Sequence, residues 1–267
     1  MLTKNDFKRE KYSVDDLREI VRILREPGGC PWDAEQSHKS IRRDLLEEAY
    51  EVADAIDTDN DIALCEELGD LMLQVVFHAR IGQEENKFNL DDVADGICKK
   101  LILRHPHVFG DVKVDSAEDV LDNWDAIKRD EKSQKTYTDT LESVPRAFPA
   151  LMRAAKVQKR ASKAGFDWDN PDDAFKKLPE ELAEFKEAVA MDDRGALEEE
   201  FGDILFAAVN VSRFYHIDAE AALSSATDKF IRRFKAVEQK VIESDRDMKE
   251  LSLEELDAIW DEVKASK

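Results

Sequence analysis

DLLEEAYEVADAIDTDNDIALCEELGD, residues 44–70, decides the fold of this chain, because its acids recur in KLPEELAEFKEAVAMDDRGALEEEFGD, residues 177–203. Glu47, Glu48, Glu51, Glu67 and Asp70 return 133 positions later as Glu180, Glu181, Glu184, Glu200 and Asp203. The repeat extends outward. Trp32 and Trp168 are 136 apart, as are Trp124 and Trp260, and the chain has only these four tryptophans. Self-similarity at one period across 267 residues marks a duplicated unit and sets the domain count better than length does.

Ile41, Leu45, Ala49, Val52 and Ile56 lie on one stripe at helical spacing, which predicts a helix over 41–56. The same periodicity predicts helices over 14–25, 62–81, 90–103 and 117–128, and in the second copy over 147–164, 172–190, 194–214, 218–241 and 252–264. Glycine (9) and proline (7) are scarce, Ala, Leu, Glu, Asp and Lys dominate, and no strand alternation is visible. The fold class is therefore all-α, with two tandem helical bundles. Cys30-Pro31-Trp32-Asp33 reads as an irregular loop after Pro27-Gly28-Gly29, and Gly165-Phe166-Asp167-Trp168-Asp169 replays it. Pro179 stands where the first copy has Leu46, so the helix there is expected to kink or restart. The polar stretch DEKSQKTYTDTLES predicts a linker, giving domains over 1–130 and 147–267 joined by 131–146.

A formal charge of −21 excludes a general nucleic-acid binder, which must neutralise phosphates over an extended basic surface. No apolar run approaches a membrane span and the opening residues lack a signal-peptide core, so a soluble cytoplasmic protein without membrane contact is expected. Cys30, Cys65 and Cys98, with no CxxC spacing, read as reduced packing residues.

Residues at i and i+3 share a helix face, so Glu48 with Glu51, and Glu67 with Asp70, can converge if their helices pack antiparallel. Glu181, Glu184, Glu200 and Asp203 repeat the geometry. Four carboxylates around one point need a cation, and an all-oxygen shell selects Mg²⁺ or Mn²⁺ over Zn²⁺. A single acidic helix face is more often merely solvated; two paired motifs in register reverse that preference. Gly69 and Gly202 precede the aspartates at a cost to helix stability, which suggests close helix approach behind each site. Lys100 with Arg104, and Lys229 with Arg233, are i, i+4 pairs that suit either charge pairing or a clamp on phosphate oxygens. Asn210 continues the acid face and could read a base or sugar; its counterpart is Phe77. Trp168, in the loop before the acidic helix, and Trp260 are candidate nucleotide contacts. Core packing is the commoner role of tryptophan and is preferred for Trp124 and, narrowly, for Trp260. His38 with Glu35 gives one ExxH, too little for a di-iron bundle, and His105 and His107 read as capping or packing residues.

Gly29-Cys30-Pro31-Trp32-Asp33, Leu46-Glu47-Glu48, Glu67-Leu68-Gly69-Asp70, Arg104-His105-Pro106-His107-Val108-Phe109, Gly165-Phe166-Asp167-Trp168 and Glu198-Glu199-Glu200-Phe201-Gly202-Asp203 together resemble the MazG nucleoside triphosphate pyrophosphohydrolases, of the all-α NTP pyrophosphatase group, over nearly the whole chain. The resemblance implies Mg²⁺-dependent hydrolysis of (d)NTPs to monophosphate and pyrophosphate, with Mn²⁺ a substitute ion, in a homodimer of tandem helical domains. It places the metal ligands on Glu181, Glu184, Glu200 and Asp203, and nucleotide contacts on Lys229, Arg232, Arg233 and Trp260. Glu180 or Glu199 is then the base that takes a proton from water. Because the second copy has Arg232 where the first has Leu103, and Asn210 where it has Phe77, the C-terminal unit is expected to be the principal catalyst. Glu48, Glu51, Glu67 and Asp70 would form a weaker second site. The competing class is a non-enzymatic module that binds metal or nucleotide to control a partner protein.

Overall fold

The computed structural model describes residues 10–114, 116–131 and 134–265. Among them every regular element is helical, and the chain divides into two compact units that part between Lys128 and Arg129.

In the first unit, α1 (Val14–Arg25) opens with a capping box between Ser13 and Asp16, and α2 (Pro31–Glu35) follows. The longest elements are α3 (Arg42–Asp57) and α4 (Asp61–Glu84), succeeded by α5 (Leu90–Arg104), α6 (Pro106–Phe109) and α7 (Ala117–Glu131). α3 and α4 form a tight hairpin. Asp59 takes a left-handed φ of 52°, which a short polar side chain tolerates, and Asn60 caps α4 by accepting the Ala63 N–H at 3.2 Å. α1 lies along α4, and Val21, Ile41, Val76, Phe77 and Ile81 make the core between them.

The second unit comprises α8 (Tyr137–Glu142), α9 (Ala150–Ser162), α10 (Pro171–Met191), α11 (Arg194–Phe214), α12 (Ala219–Glu243), a 3₁₀ turn at Met248–Glu250, and α13 (Leu253–Ala265). Its hairpin, α10–α11, turns at Asp192, with φ 53°, at the register of Asp59. Asp193 then caps α11 by accepting the N–H groups of Gly195 and Ala196. Buried Ala174, Ala188 and Ala207 lie along this pair, while α9 packs on α11 and α12.

Five local expectations are corrected. Pro31 sits at the first position of a short helix rather than in an irregular loop, since its missing N–H is no loss there. α10 runs unbroken through Pro179, where only one main-chain bond is forgone. The segment read as a linker contains α8, which is started by a Thr136–Asp139 capping box. It belongs with the second unit, because Arg160 on α9 donates to the Thr140 carbonyl and to Ser143 Oγ. Gly69 and Gly202 face open space, so no helix of this chain approaches them closely among the described residues. The packing reading of the cysteines fails for Cys65 and Cys98, which are exposed, whereas Cys30 is half-buried.

One buried cation organises the first unit. The Arg25 side chain is 4% exposed and forks onto Glu84, at 2.7 Å for the shorter bond. It also donates to the Gln36 carbonyl at 3.1 Å and lies over the Phe77 ring, 5.0 Å from its centroid. The chain between α1 and α3 is thereby fastened to α4. Burial pushes the Glu84 carboxyl up, but hydrogen bonds from Arg25 and Arg80 outweigh it and hold the group below its ordinary value. Arg25→Met, which leaves Glu84 to Arg80 alone and strands the Asp33 and Gln36 carbonyls, is expected to destabilise the first unit by about 3 kcal/mol. Urea denaturation of the full chain, followed by fluorescence of Trp32 and Trp124 with Trp168 and Trp260 replaced by phenylalanine, measures the loss.

Candidate active site

The α10–α11 hairpin brings Glu181, Glu184 and Glu200 together, each offering a carboxylate oxygen within 4.8 Å of the others. Glu181 is 7% exposed, and one Glu200 oxygen, Oε2, is buried without a hydrogen-bond partner. Burial first, then the charges of Glu184, Asp203, Glu181 and Glu199, push the Glu200 carboxyl above its ordinary value. Asp203 stands outside the closest trio and reaches it through this repulsion.

The first hairpin assembles a different trio. Glu48, Glu67 and Asp70 offer oxygens within 4.8 Å of one another. Glu51, the remaining expected member, lies close enough that its charge adds to the repulsion felt by Glu48 and Glu67. Desolvation and the neighbouring acids raise the carboxyls of Glu48 and Glu67 as well. Both sites therefore carry the signature of missing positive charge, and Glu200 Oε2 in addition has an unmet need for a partner. All-carboxylate donors of this kind fit a hard divalent cation.

Lys177 was not singled out by sequence reading. Its ammonium lies 2.8 Å from Glu181 and 2.9 Å from Glu180, and those bonds hold its pKa well above the ordinary lysine value. The signal was present in the repeat, because position 177 aligns with Asp44, a reversal of charge beside otherwise identical acids.

The basic candidates gather elsewhere in the unit. Lys229, Arg232 and Arg233 lie on α12, whose principal packing is on α9 and α13. The Arg233 guanidinium sits 6.0 Å from the centroid of the Trp260 ring, which also meets Phe230 at 5.2 Å. In the first unit Arg104, the counterpart of Arg233 at an offset of 129, lies over Trp124, the counterpart of Trp260 at 136, 5.3 Å from its centroid, so the contact recurs in both units. Asn210 Oδ1 accepts from Arg213 at 3.0 Å, and Arg213 in turn grips Asp167, which ties the Phe166–Trp168 loop to α11. Only the Asn210 amide NH₂ is thus left to face a ligand. Trp168 is 43% exposed beside this network. Glu199 and Glu180 flank the trio, Glu180 in its ion pair with Lys177. His105 ends α5 and starts α6, its ring nitrogen 2.6 Å from the Leu101 carbonyl.

A duplicated all-α fold with carboxylate clusters suited to a divalent ion, and an arginine–tryptophan contact between two further helices, fits the class of hydrolases that act on acid anhydrides. The profile of the MazG nucleotide pyrophosphohydrolase domain matches residues 36–109 and 170–238, covering both hairpins. The chain belongs to this family. It is 45% identical over 94% of its length to the nucleoside triphosphate pyrophosphohydrolase/pyrophosphatase MazG of Thermotoga maritima, 95% of which is covered. It is 44% identical over 94% of its length to the nucleoside triphosphate pyrophosphohydrolase of Escherichia coli K12, with 97% of that protein covered. An uncharacterised Bacillus subtilis protein, YabN, is 46% identical over 95% of the chain, which spans 52% of it.

The raised Glu200 carboxyl sets a pH dependence. Between its ordinary value of 4.5 and its folded value, the folded chain binds more protons than the unfolded one, so stability falls as pH rises through that window. A divalent ion held by these oxygens would reverse this at neutral pH by taking the place of the proton. Addition of Mn²⁺ is expected to raise the melting temperature at about pH 7.5 and to have little effect at about pH 4.5, where protons compete for the same oxygens. Differential scanning calorimetry with and without Mn²⁺ reads this out, and an equal gain at both pH values would contradict it.

Proposed function

We propose that the chain hydrolyses nucleoside triphosphates to nucleoside monophosphate and pyrophosphate, with the second unit as principal catalyst and Mg²⁺ as its ion. The observation that carries this reading is the Glu181–Glu184–Glu200 cluster, with an unpartnered buried oxygen, in a chain of the MazG family. The names of the relatives support the reaction class, hydrolysis of an acid anhydride.

Glu181, Glu184, Glu200 and Asp203 would hold the ion. When bound, it neutralises triphosphate oxygens and lowers the pKa of a water. The side chains supply the rest. Lys177 would leave Glu180 and Glu181 for the phosphate oxygens once a cation sits among the acids. Lys229, Arg232 and Arg233 stabilise the charge that develops on departing pyrophosphate. Once Lys177 has moved to the phosphates, Glu180 is free, and either Glu180 or Glu199, each next to a cluster acid, takes the proton of the attacking water. The nucleobase stacks near Trp260 or Trp168, and the Asn210 NH₂ reads its edge or the sugar. In the first unit the acids remain, with Leu103 and Phe77 in place of Arg232 and Asn210. It is a weaker second metal site and a scaffold.

A homodimer is part of this reading. α10 and α11 leave Leu182, Phe201, Leu205 and Phe206 between 42% and 53% exposed, and Gly202 adds room for close approach on the same hairpin. A second copy covers such a face and can bring a basic α12 toward the acids. Three free cysteines suit the reducing cytoplasm, and no helix among the described residues is long and apolar enough to cross a membrane.

Incubation with mixed NTPs and Mg²⁺, resolved by anion-exchange chromatography, is expected to give NMP and pyrophosphate; orthophosphate would indicate a different reaction. Glu200→Gln should abolish pyrophosphate release, a loss of about 10³-fold or more, while Glu67→Gln keeps most of it. The reverse pattern would move catalysis to the first unit. Lys177→Ala should raise KM more than it lowers kcat, since its charge is available to substrate before and during the reaction.

A further inference from the structure

His38 and His78 meet outside both acid clusters. Their Nδ1 atoms are 2.8 Å apart, their ring planes lie within 9°, and their centroids are 5.1 Å apart. That separation is the nitrogen contact plus about one ring radius at each end. The two imidazoles therefore meet edge to edge in nearly one plane, lone pair toward lone pair. Such an arrangement cannot converge on a metal ion. It needs one proton between the two nitrogens.

The surroundings place that proton. His38 Nε2 faces Glu85 Oε2 at 3.9 Å, which favours a proton on Nε2 and leaves His38 Nδ1 as the acceptor. His78 must then donate from Nδ1, and its Nε2 is bare. This agrees with His78 Nε2 being buried without a hydrogen-bond partner, a milder defect for an acceptor than for an N–H donor. Phe88 covers the pair, its ring 6.1 Å from that of His38. The cover depends on Gly82, where a Cβ would fall 2.7 Å from the Phe88 ring.

The pair bridges two elements of the hairpin. His38 lies in the loop that leads into α3, and His78 lies on α4 two turns beyond Asp70. The other bonds of Ser37 and Ser40 are local, from Ser37 N–H to Ser40 Oγ and from Ser40 Oγ to Gln36 Oε1. The charged groups around the pair are Glu85, itself bonded to Lys87 at 2.7 Å, and the Arg25–Glu84–Arg80 cluster that holds the Gln36 carbonyl. Lys39 and Glu35 are exposed on the loop and on α2. One carboxylate, already shared with a lysine, cannot offset two adjacent imidazolium charges.

We propose that His38 and His78 form a single-proton latch that fastens the loop entering α3 to α4, and that a second proton opens it in acid. The latch fixes the entry to α3, the helix that carries Glu48, while the Asp59 turn and the packing of α3 on α4 hold the hairpin itself. Burial, and next the neighbouring His38, lower the His78 pKa from its ordinary 6.5. The sign follows. The unfolded chain binds the proton first, so stability is complete above 6.5 and is lost as pH falls toward the folded value.

The test is imidazole ¹⁵N NMR on the full chain from about pH 8 to about pH 5, with hydrogen exchange of amides 37–41. At the alkaline end His38 should be the Nε2–H tautomer and His78 the Nδ1–H tautomer. On acidification the protection factors at 37–41 should fall by up to about tenfold per pH unit, and the double variant His38→Asn/His78→Phe should lose that dependence. Two ordinary, independent titrations, or constant protection across the window, would overturn the latch. So would an unchanged pH response in the double variant. Should that variant fail to fold, the tautomers and titration of the unaltered chain decide the matter.

Discussion

Mutual repulsion among carboxylates held within 4.8 Å is the constraint on which the rest of this structure depends. Left to themselves, three or four glutamates on exposed helices would splay into water. Here two antiparallel helices, locked by a tight turn and by packing behind them, prevent it, and the cost appears as raised carboxyl pKa values at Glu48, Glu67 and Glu200. The two units answer that repulsion differently. The second carries a lysine between Glu180 and Glu181, while the first has Asp44 at that register and adds the charge of Glu51 to its acids.

Much of this was legible in the sequence because it rests on spacing. The i, i+3 acids, the offset of 133 and the apolar stripe of α3 are periodic signals, and helices α3, α4, α10 and α11 stand within a few residues of where periodicity puts them. The arginine–tryptophan contacts are of another kind: the arginines recur at an offset of 129 and the tryptophans at 136, and only the structure brings Arg104 onto Trp124 and Arg233 onto Trp260.

What was not legible depends on contacts between distant residues or on single main-chain bonds. Pro179 looks like a break, yet a long helix absorbs the loss of one bond. The stretch before α8 is too short for a period to show, and its capping box and its bonds to Arg160 order it. Gly69 and Gly202 suggested close helices, but the space before them is open within the chain. Arg25 carries no motif, because its role is defined by Glu84, Gln36 and Phe77, which lie far off in sequence or in an irregular loop. The meeting of His38 and His78, forty residues apart, is of the same kind.

The turns at Asp59 and Asp192 bear on how such a chain can change. Each added residue advances an α-helix by about 100° in rotational phase. A single insertion at either turn would swing Glu67 and Asp70, or Glu200 and Asp203, away from the partners they face. Elsewhere the copies have drifted in length, since their outer tryptophans are offset by 136 and their basic helices by 129. Across the hairpins the offset is constant. The hairpin is a phase-locked element, free to exchange side chains but not residues in number, and it marks the segment in which a length change is least tolerated.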